Sequence, residues 1–345
     1  MVITVLFNIV LGFIVFLSVF MNVLMLVILR KTGKIRKAIG AKNNLLMNLA
    51  IADLIQALLG YSVQFVDSLL STHNLNFCTV SGFAITMCGL VSLTLLTMLS
   101  FDISFHICRP FKSMLYEDRL PIILPTLGWL YGFIWAIVPF FGLGGYIVEG
   151  ARSCSLKWTQ DTLEGKIFIL ALLFGCFVLP LAIIVTCFVC IHVNTKRTLQ
   201  GGILKKSPKK SRNLKAVQQG NAKLCFFMSF SFIAAWTPYS VVAVIISLSG
   251  YDAVPEIMLL VAAFMGKCSA IFNPLIFFYI DKAARPYVRR ILQLGNIYSR
   301  YSKRHLKDSG RSTISNYSTQ LSTFRYSSRE KASIASTGFS KREKR

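Results

Sequence analysis

Seven long apolar runs, a mean hydropathy of +0.59 and a charged fraction of only 15% predict an all-α protein, a seven-transmembrane helix bundle. The runs fall at about 4–29, 43–66, 78–104, 121–147, 166–193, 224–249 and 256–280. At 1.5 Å per residue, each crosses roughly 30 Å of hydrocarbon as a helix. The first run is too long for the apolar core of a signal peptide and is followed by Arg30, Lys31, Lys34, Arg36 and Lys37, so it reads as a retained first helix. The stretch ahead of it is very short and has no glycosylation sequon, as expected of a truncated amino terminus. Proline or polar residues inside several runs are compatible with spans, because a bundle satisfies the freed backbone groups internally.

Beyond the seventh run, about 281–292 has basic residues on one side and Tyr287, Val288, Ile291 and Leu292 on the other. That pattern predicts a short amphipathic helix on the cytoplasmic interface, closing a membrane domain of about 1–290. Residues 293–345 are rich in Ser, Thr and Arg and lack apolar periodicity, which predicts a disordered cytoplasmic tail. Its pairs Ser312-Thr313, Ser318-Thr319, Ser322-Thr323 and Ser327-Ser328 are candidate phosphoacceptors.

A net charge of +24 raises the question of nucleic acid, but its placement argues against it. Basic residues crowd the first loop, the stretch Lys196 to Lys223 and the tail after Lys282, all on one side of a seven-span protein. The positive-inside rule then puts that side, and the carboxyl tail, in the cytoplasm, with the amino terminus outside. Membrane lipid or a cytosolic protein is the expected partner of that charge.

Six of the nine cysteines, Cys88, Cys176, Cys187, Cys190, Cys225 and Cys268, lie within apolar runs and read as small buried hydrophobes. Cys78 and Cys154 sit on the opposite side from the basic loops, where oxidation is permitted, and are expected to form a disulfide that pins the loop after the fourth span. No zinc spacing, phosphate-binding loop or enzyme triad is visible, and no metal or enzymatic activity is expected.

Lys267 is the most telling residue, standing alone in the seventh run six positions before Asn273-Pro274. A lysine at a helix centre costs about 2.5 to 3.5 kcal/mol, so such a residue faces a polar interior and marks function. Snorkelling to either surface is excluded by its central position. A desolvated lysine amine condenses readily with an aldehyde to form a Schiff base.

Further landmarks occur in order: Asn22, then Asn48-Leu49-Ala50-Ile51-Ala52-Asp53, Cys78, Asp102, Trp129, Pro180, Trp236-Thr237-Pro238-Tyr239 and Asn273-Pro274. In these the chain resembles rhodopsin-like G-protein-coupled receptors, and in Lys267 and Tyr146-Ile147-Val148-Glu149-Gly150 it is similar to the opsins among them. The resemblance spans about residues 10–290 and implies a retinal chromophore, 11-cis or all-trans, attached to Lys267. A neutral polyene needs an apolar aromatic pocket, for which Trp236, Tyr239, Phe264, Gly89 and Phe232 are the candidates, with Trp236 as the switch tryptophan beside Pro238. Helix packing is the plainer explanation for each of the other aromatics. Many vertebrate visual opsins have an acidic counterion in the third span where this chain has Ser81. The resemblance therefore implies Glu149 as counterion, with Asp67 or a bound anion as alternatives. Asp53 and Asn22 correspond to the family's interior sodium or water network.

The chain departs from the family at its cytoplasmic end. The acidic-Arg-aromatic triplet reads Asp102-Ile103-Ser104, and two stabilising tyrosines are replaced by Phe188 and by Phe277 of Asn273-Pro274-Leu275-Ile276-Phe277. Arg109-Pro110 and the basic third loop are retained. The resemblance implies a light-sensing receptor with a heterotrimeric G protein, and through the tail arrestin and a receptor kinase, as partners. The departures leave open a retinal photoisomerase or retinal-binding protein with little signalling. A third alternative is a receptor for a diffusible ligand in which Lys267 pairs with a buried acid.

Overall fold

The computed structural model describes residues 2–35, 41–70, 75–149, 153–160, 162–200 and 208–291. Contacts within the chain divide it into Met1–Pro286 and Tyr287–Arg345, and the fold described below is that of the first unit. Of the second unit, only the end of helix α11 (Arg285–Ile291) lies among the described residues, and the tail at 293–345 lies outside them.

Among the described residues, seven helices are long and apolar enough to cross a membrane: Val5–Thr32, Lys42–Leu70, Leu75–Cys108, Leu120–Phe141, Leu163–Thr195, Ala216–Ser249 and Glu256–Ile280. They match the seven apolar runs. The first is α1 (Val2–Ile35). The second is α2 (Lys42–Ile55), a π-helical turn Gln56–Tyr61 and α3 (Ser62–Leu70). The third is α4 (Leu75–Cys108), followed by the short α5 (Pro110–Leu115). The fourth is α6 (Leu120–Ile137). The fifth is α7 (Leu163–Leu173), a π turn Phe174–Val178 and α8 (Leu179–Gln200). The sixth is α9 (Pro208–Ser249) and the seventh α10 (Glu256–Ile280).

The third span is the axis of the bundle. In its most apolar window 72% is buried, against 28% for the first, fourth and sixth spans, and α4 packs on α2, α6, α8 and α9. Residues facing outward from the peripheral spans are apolar, among them Phe13, Phe16, Ile122 and Phe230, as a hydrocarbon solvent requires.

Two boundaries differ from expectation. The fourth apolar run was expected to stay helical to about residue 147, but α6 ends at Ile137 and a 3-10 turn Val138–Phe141 follows. Pro139 lies in that turn, and Gly142 and Gly144, at φ of 90° and 128°, take backbone conformations that other residues rarely adopt. The chain then forms strand β1 (Tyr146–Glu149), antiparallel to β2 (Ser153–Leu156), with Tyr146 opposite Leu156 and Glu149 opposite Ser153. This hairpin is the one addition to an otherwise all-helical fold among the described residues. The apolar Tyr146 and Ile147 at its start are what carried the fourth run to about 147. The interfacial helix, expected from about 281, begins instead at Arg285, after a turn in which Asp281 Oδ1 accepts from the amides of Ala283 (2.8 Å) and Ala284 (3.1 Å).

Asp281 also joins three spans at the end opposite the hairpin. Lys42 Nζ, at the start of α2, donates to Asp281 Oδ2 (2.9 Å) and to Asn221 Oδ1 on α9 (3.0 Å). Burial by itself raises the Asp281 carboxyl, but the Lys42 charge and hydrogen bond, with the two amides, outweigh it and hold the group below its ordinary 3.8. A carboxyl lowered in the folded state stabilises fully above its unfolded value, and that contribution is lost as pH falls through the folded value. Asp281→Asn is therefore expected to destabilise the detergent-solubilised protein near neutral pH by about 1 to 3 kcal/mol. Thermal melts should show the gap to the unmodified chain closing below about pH 3. An equal gap at both pH values overturns this.

Candidate functional site

Lys267 lies midway along the 25-residue α10 and is 4% exposed. It shares an inward face with Ala270, Asn273, Pro274 and Phe277, a spacing of three and four residues that keeps one stripe toward the core. Its Nζ lies over the Tyr61 ring, 5.7 Å from the centroid. Lys267 also borders a cavity of about 130 Å3 enclosed by α4, α7, α9, α10 and strand β2. The lining is overwhelmingly apolar: Ile85, Leu90, Leu93, Leu156, Leu172, Phe177, Phe232 and Trp236 are among its walls. An amine is thereby presented to a predominantly apolar site.

Trp236 forms the floor. Its ring stacks on Phe232 at 6.0 Å and meets Tyr239 edge-on at 6.1 Å, while Nε1 donates to Ser269 Oγ (3.0 Å). The indole is seated between Gly89 and Gly266. A Cβ on Gly266 would come within 3.3 Å of the ring, tighter than usual packing, whereas one on Gly89 would make an ordinary 3.4 Å contact. Gly266, which sequence reasoning passed over, is thus the more demanding of the two. Its signal was adjacency to Lys267. Trp158 was also missed: its Nε1 donates to Tyr239 Oη (3.0 Å), and it lines the cavity beside β2.

Of the candidate pocket residues, Gly89, Phe232, Trp236 and Tyr239 line the cavity, and Phe264 does not. Phe264 packs in a cluster with α1, its ring 5.3 Å from Phe7. It lies three residues before Lys267, and the 60° between such positions on a helix is enough to aim it at the neighbouring helix instead.

The hairpin closes the cavity from one end, held by the Cys78–Cys154 disulfide as expected. Gln64 Nε2 on α3 donates to Cys154 O (3.0 Å), giving a second tether. Tyr146 Oη donates to Ala136 O (2.8 Å), and burial pushes that phenol above its ordinary range, so it stays protonated as the donor. Ser81 is fully buried, its hydroxyl donating to Cys78 O (3.3 Å). Glu149 ends β1 opposite Ser153, and its side chain lies outside the described residues. Asp67 is buried on α3 at 6% exposure.

Below the cavity lies a polar core. Asp53 accepts from Ser92 Oγ (3.0 Å) and from Asn273 Nδ2 (2.9 Å), while Asn22 donates to Ala270 O (2.8 Å). Trp129 Nε1 donates to Asn48 Oδ1 (3.0 Å), joining the fourth and second spans. At the far end Asp102 Oδ1 accepts from the Ala41 amide (3.3 Å), and His106 Nδ1 donates to Asp102 O (2.7 Å). His106, one turn after Asp102, was not singled out from the sequence, although the i, i+4 spacing carried the signal. Ile103 is buried at 6%, Phe188 packs edge-on against Phe226 at 5.4 Å, and Phe277 is buried against Phe278.

A sequence model of the seven-transmembrane receptors of the rhodopsin family matches residues 2–277. This chain belongs to that family. The receptor is 28% identical to Opsin-VA of Rutilus rutilus over 263 residues, which is 74% of this chain and 66% of that protein. It is 26% identical to vertebrate ancient opsin of Salmo salar, over 77% of this chain and 80% of the relative, and 24% identical to pinopsin of Columba livia, over 83% and 80%. All three of these relatives are opsins. Squid rhodopsin has the same fold, with a TM-score of 0.76 at 23% identity, over 85% of this chain and 86% of that structure.

The disulfide closes a segment of 76 residues. In the chain-entropy model such a closure stabilises by roughly 4 to 5 kcal/mol. Cys154→Ala is expected to reduce the yield of folded, membrane-inserted receptor, read by surface expression. Free alkylation of both thiols in intact, folded receptor refutes the bridge.

Proposed function

We propose that this chain is an opsin-type photoreceptor that holds retinal covalently through Lys267. The observation that carries the reading is a single one: an amine buried midway through the seventh span opens onto an apolar, aromatic-floored cavity beneath a disulfide-pinned hairpin. Retinal supplies an aldehyde for the amine and a polyene that isomerises in light. The residues do the rest. Trp236, Phe232 and Tyr239 wall the polyene, the hairpin excludes water, and Trp236, wedged against Gly266, feels any change of shape in the cavity and passes it to α9.

The charge of a protonated linkage needs a partner. Glu149 is our candidate, because Ser81 is neutral and β1 carries residue 149 next to the cavity, two positions from Ile147, whose strand partner Ser155 lines it. Asp67 is the alternative. The amino terminus is proposed to be extracellular and the tail cytoplasmic, following the basic residues. The proposed partners are a heterotrimeric G protein, arrestin and a receptor kinase acting on the tail, and membrane lipid.

A second reading, a retinal photoisomerase or retinal-binding opsin with little signalling, is favoured by Ile103, Phe188 and Phe277. All three fill apolar contacts where the family places hydrogen-bonding groups.

Incubation with 11-cis-retinal is expected to give a visible-absorbing pigment, and borohydride followed by peptide mapping to place it on Lys267. Lys267→Ala should lose the band completely, and Glu149→Gln should move it to the ultraviolet near neutral pH. A covalent visible pigment in Lys267→Ala defeats the proposal; an unmoved band in Glu149→Gln shifts the counterion to Asp67.

Ile and Phe cannot make the hydrogen bonds that favour an open state, so light-driven nucleotide exchange should be low. It is expected to rise severalfold in Ile103→Arg/Phe188→Tyr/Phe277→Tyr. Strong exchange by the unmodified chain favours the receptor over the photoisomerase.

A further inference from the structure

Tyr61 is among the largest side chains with no exposure at all, and it ends the π turn Gln56–Tyr61 in the second span. A π turn inserts a residue into the helical register and often marks a functional position. Here the wide turn is filled by Ser62 Oγ, which donates to Ala57 O (2.9 Å) five residues back, and the inward face continues through Gln64 and Ser68. The Tyr61 ring faces α10, and Lys267 Nζ lies 5.7 Å from its centroid, inside the roughly 6 Å at which an aromatic face attracts a cation. Both groups are out of water, at 0% and 4% exposure, which is where that attraction is strongest.

Packing alone accounts poorly for this residue. It belongs to an apolar cluster with Phe7, Leu11, Ile14, Ala57, Ala270 and Ile271, yet its phenol oxygen has no hydrogen-bond partner among the described residues. A buried hydroxyl without a partner is a costly way to fill a core, and phenylalanine would fill it more cheaply. The ring face toward Lys267 gives an aromatic at this position a use beyond packing.

We propose that Tyr61 is a positioning residue for the reactive lysine: its ring face holds the positive charge of the Lys267 side chain, free or in the linkage to retinal. The second meaning rests on the retinal reading above; the first does not. Other titratable groups around the pair, among the described residues, are Asp53 on the same span, Cys88 on α4 and Cys268 on α10, with Asp67 further along α3 and Tyr239 on the cavity wall. Asp53 is already engaged by Ser92 and Asn273. An attraction of the desolvated kind corresponds to about one pH unit in the protonation midpoint of the amine, a roughly tenfold change in proton affinity.

The test uses the full chain without retinal. Lysines are converted to their 13C-dimethyl form, the Lys267 resonance is assigned by its absence in Lys267→Ala, and its pH midpoint is followed by NMR. Tyr61→Leu should lower the midpoint by about one unit, with Tyr61→Phe lowering it much less. Because Leu disturbs packing, site-specific phenylalanines with one, two and three ring fluorines provide the second arm. They keep the shape while weakening the ring face, and the midpoint should fall stepwise with fluorination. A midpoint that ignores fluorination, or a Phe variant that falls as far as Leu, overturns the proposal. The same series is then loaded with retinal and its visible band titrated. No pigment in the unmodified chain overturns the retinal reading while leaving the NMR result to decide Tyr61, and a pigment insensitive to fluorination removes the role of Tyr61 in the linkage.

Discussion

A lysine amine held at the middle of a hydrocarbon-thick helix is the constraint around which this bundle is arranged. Such a group is tolerated only where neighbouring side chains replace water, and α10 turns it inward, to a cavity wall on one side and the Tyr61 ring on the other. The same inward stripe carries Asn273, whose bond to Asp53 ties the seventh span to the second, so the site and the bundle core share one face of one helix. Moving the lysine would mean rotating that face and breaking the polar core below it.

The two ends of the bundle are built from different interactions. At one end, a disulfide and the Gln64 contact clamp a short hairpin across the cavity, a covalent and rigid closure. At the other, Lys42 bridges α9 and Asp281, and Asp102 caps the start of the second span through the Ala41 amide. These are polar contacts, which exchange for water at modest cost, while the apolar packing of Ile103, Phe188 and Phe277 does not.

Seven spans, the Cys78–Cys154 pair and the lone lysine were legible in the sequence, because each rests on a property of the residue itself: apolar length, redox chemistry, or the cost of burying a charge. Asp53 and Asn273 were legible as separate landmarks, and the structure joins them by a hydrogen bond. The first residues of the hairpin, Tyr146 and Ile147, were drawn into the fourth span because they are apolar, and nothing in a hydropathy pattern separates the start of a strand capping a bundle from the last turn of a span. Pro139 and the glycines at 142 and 144 were the local sign of the break.

Sequence alone therefore determined the solvent, the number of spans and the chemistry of the reactive group, all consequences of what single side chains cost in hydrocarbon. Tertiary structure decided which neighbours meet that group. Phe264 and Tyr61 are both aromatics near Lys267, yet it is Tyr61 whose ring the amine overlies, and a side chain at Gly266 would crowd Trp236 slightly more than one at Gly89. Those outcomes depend on the rotation of each helix about its own axis, including an extra residue in the π turn of the second span. Rotation is set by packing among helices far apart in the chain and leaves no local trace in the order of residues.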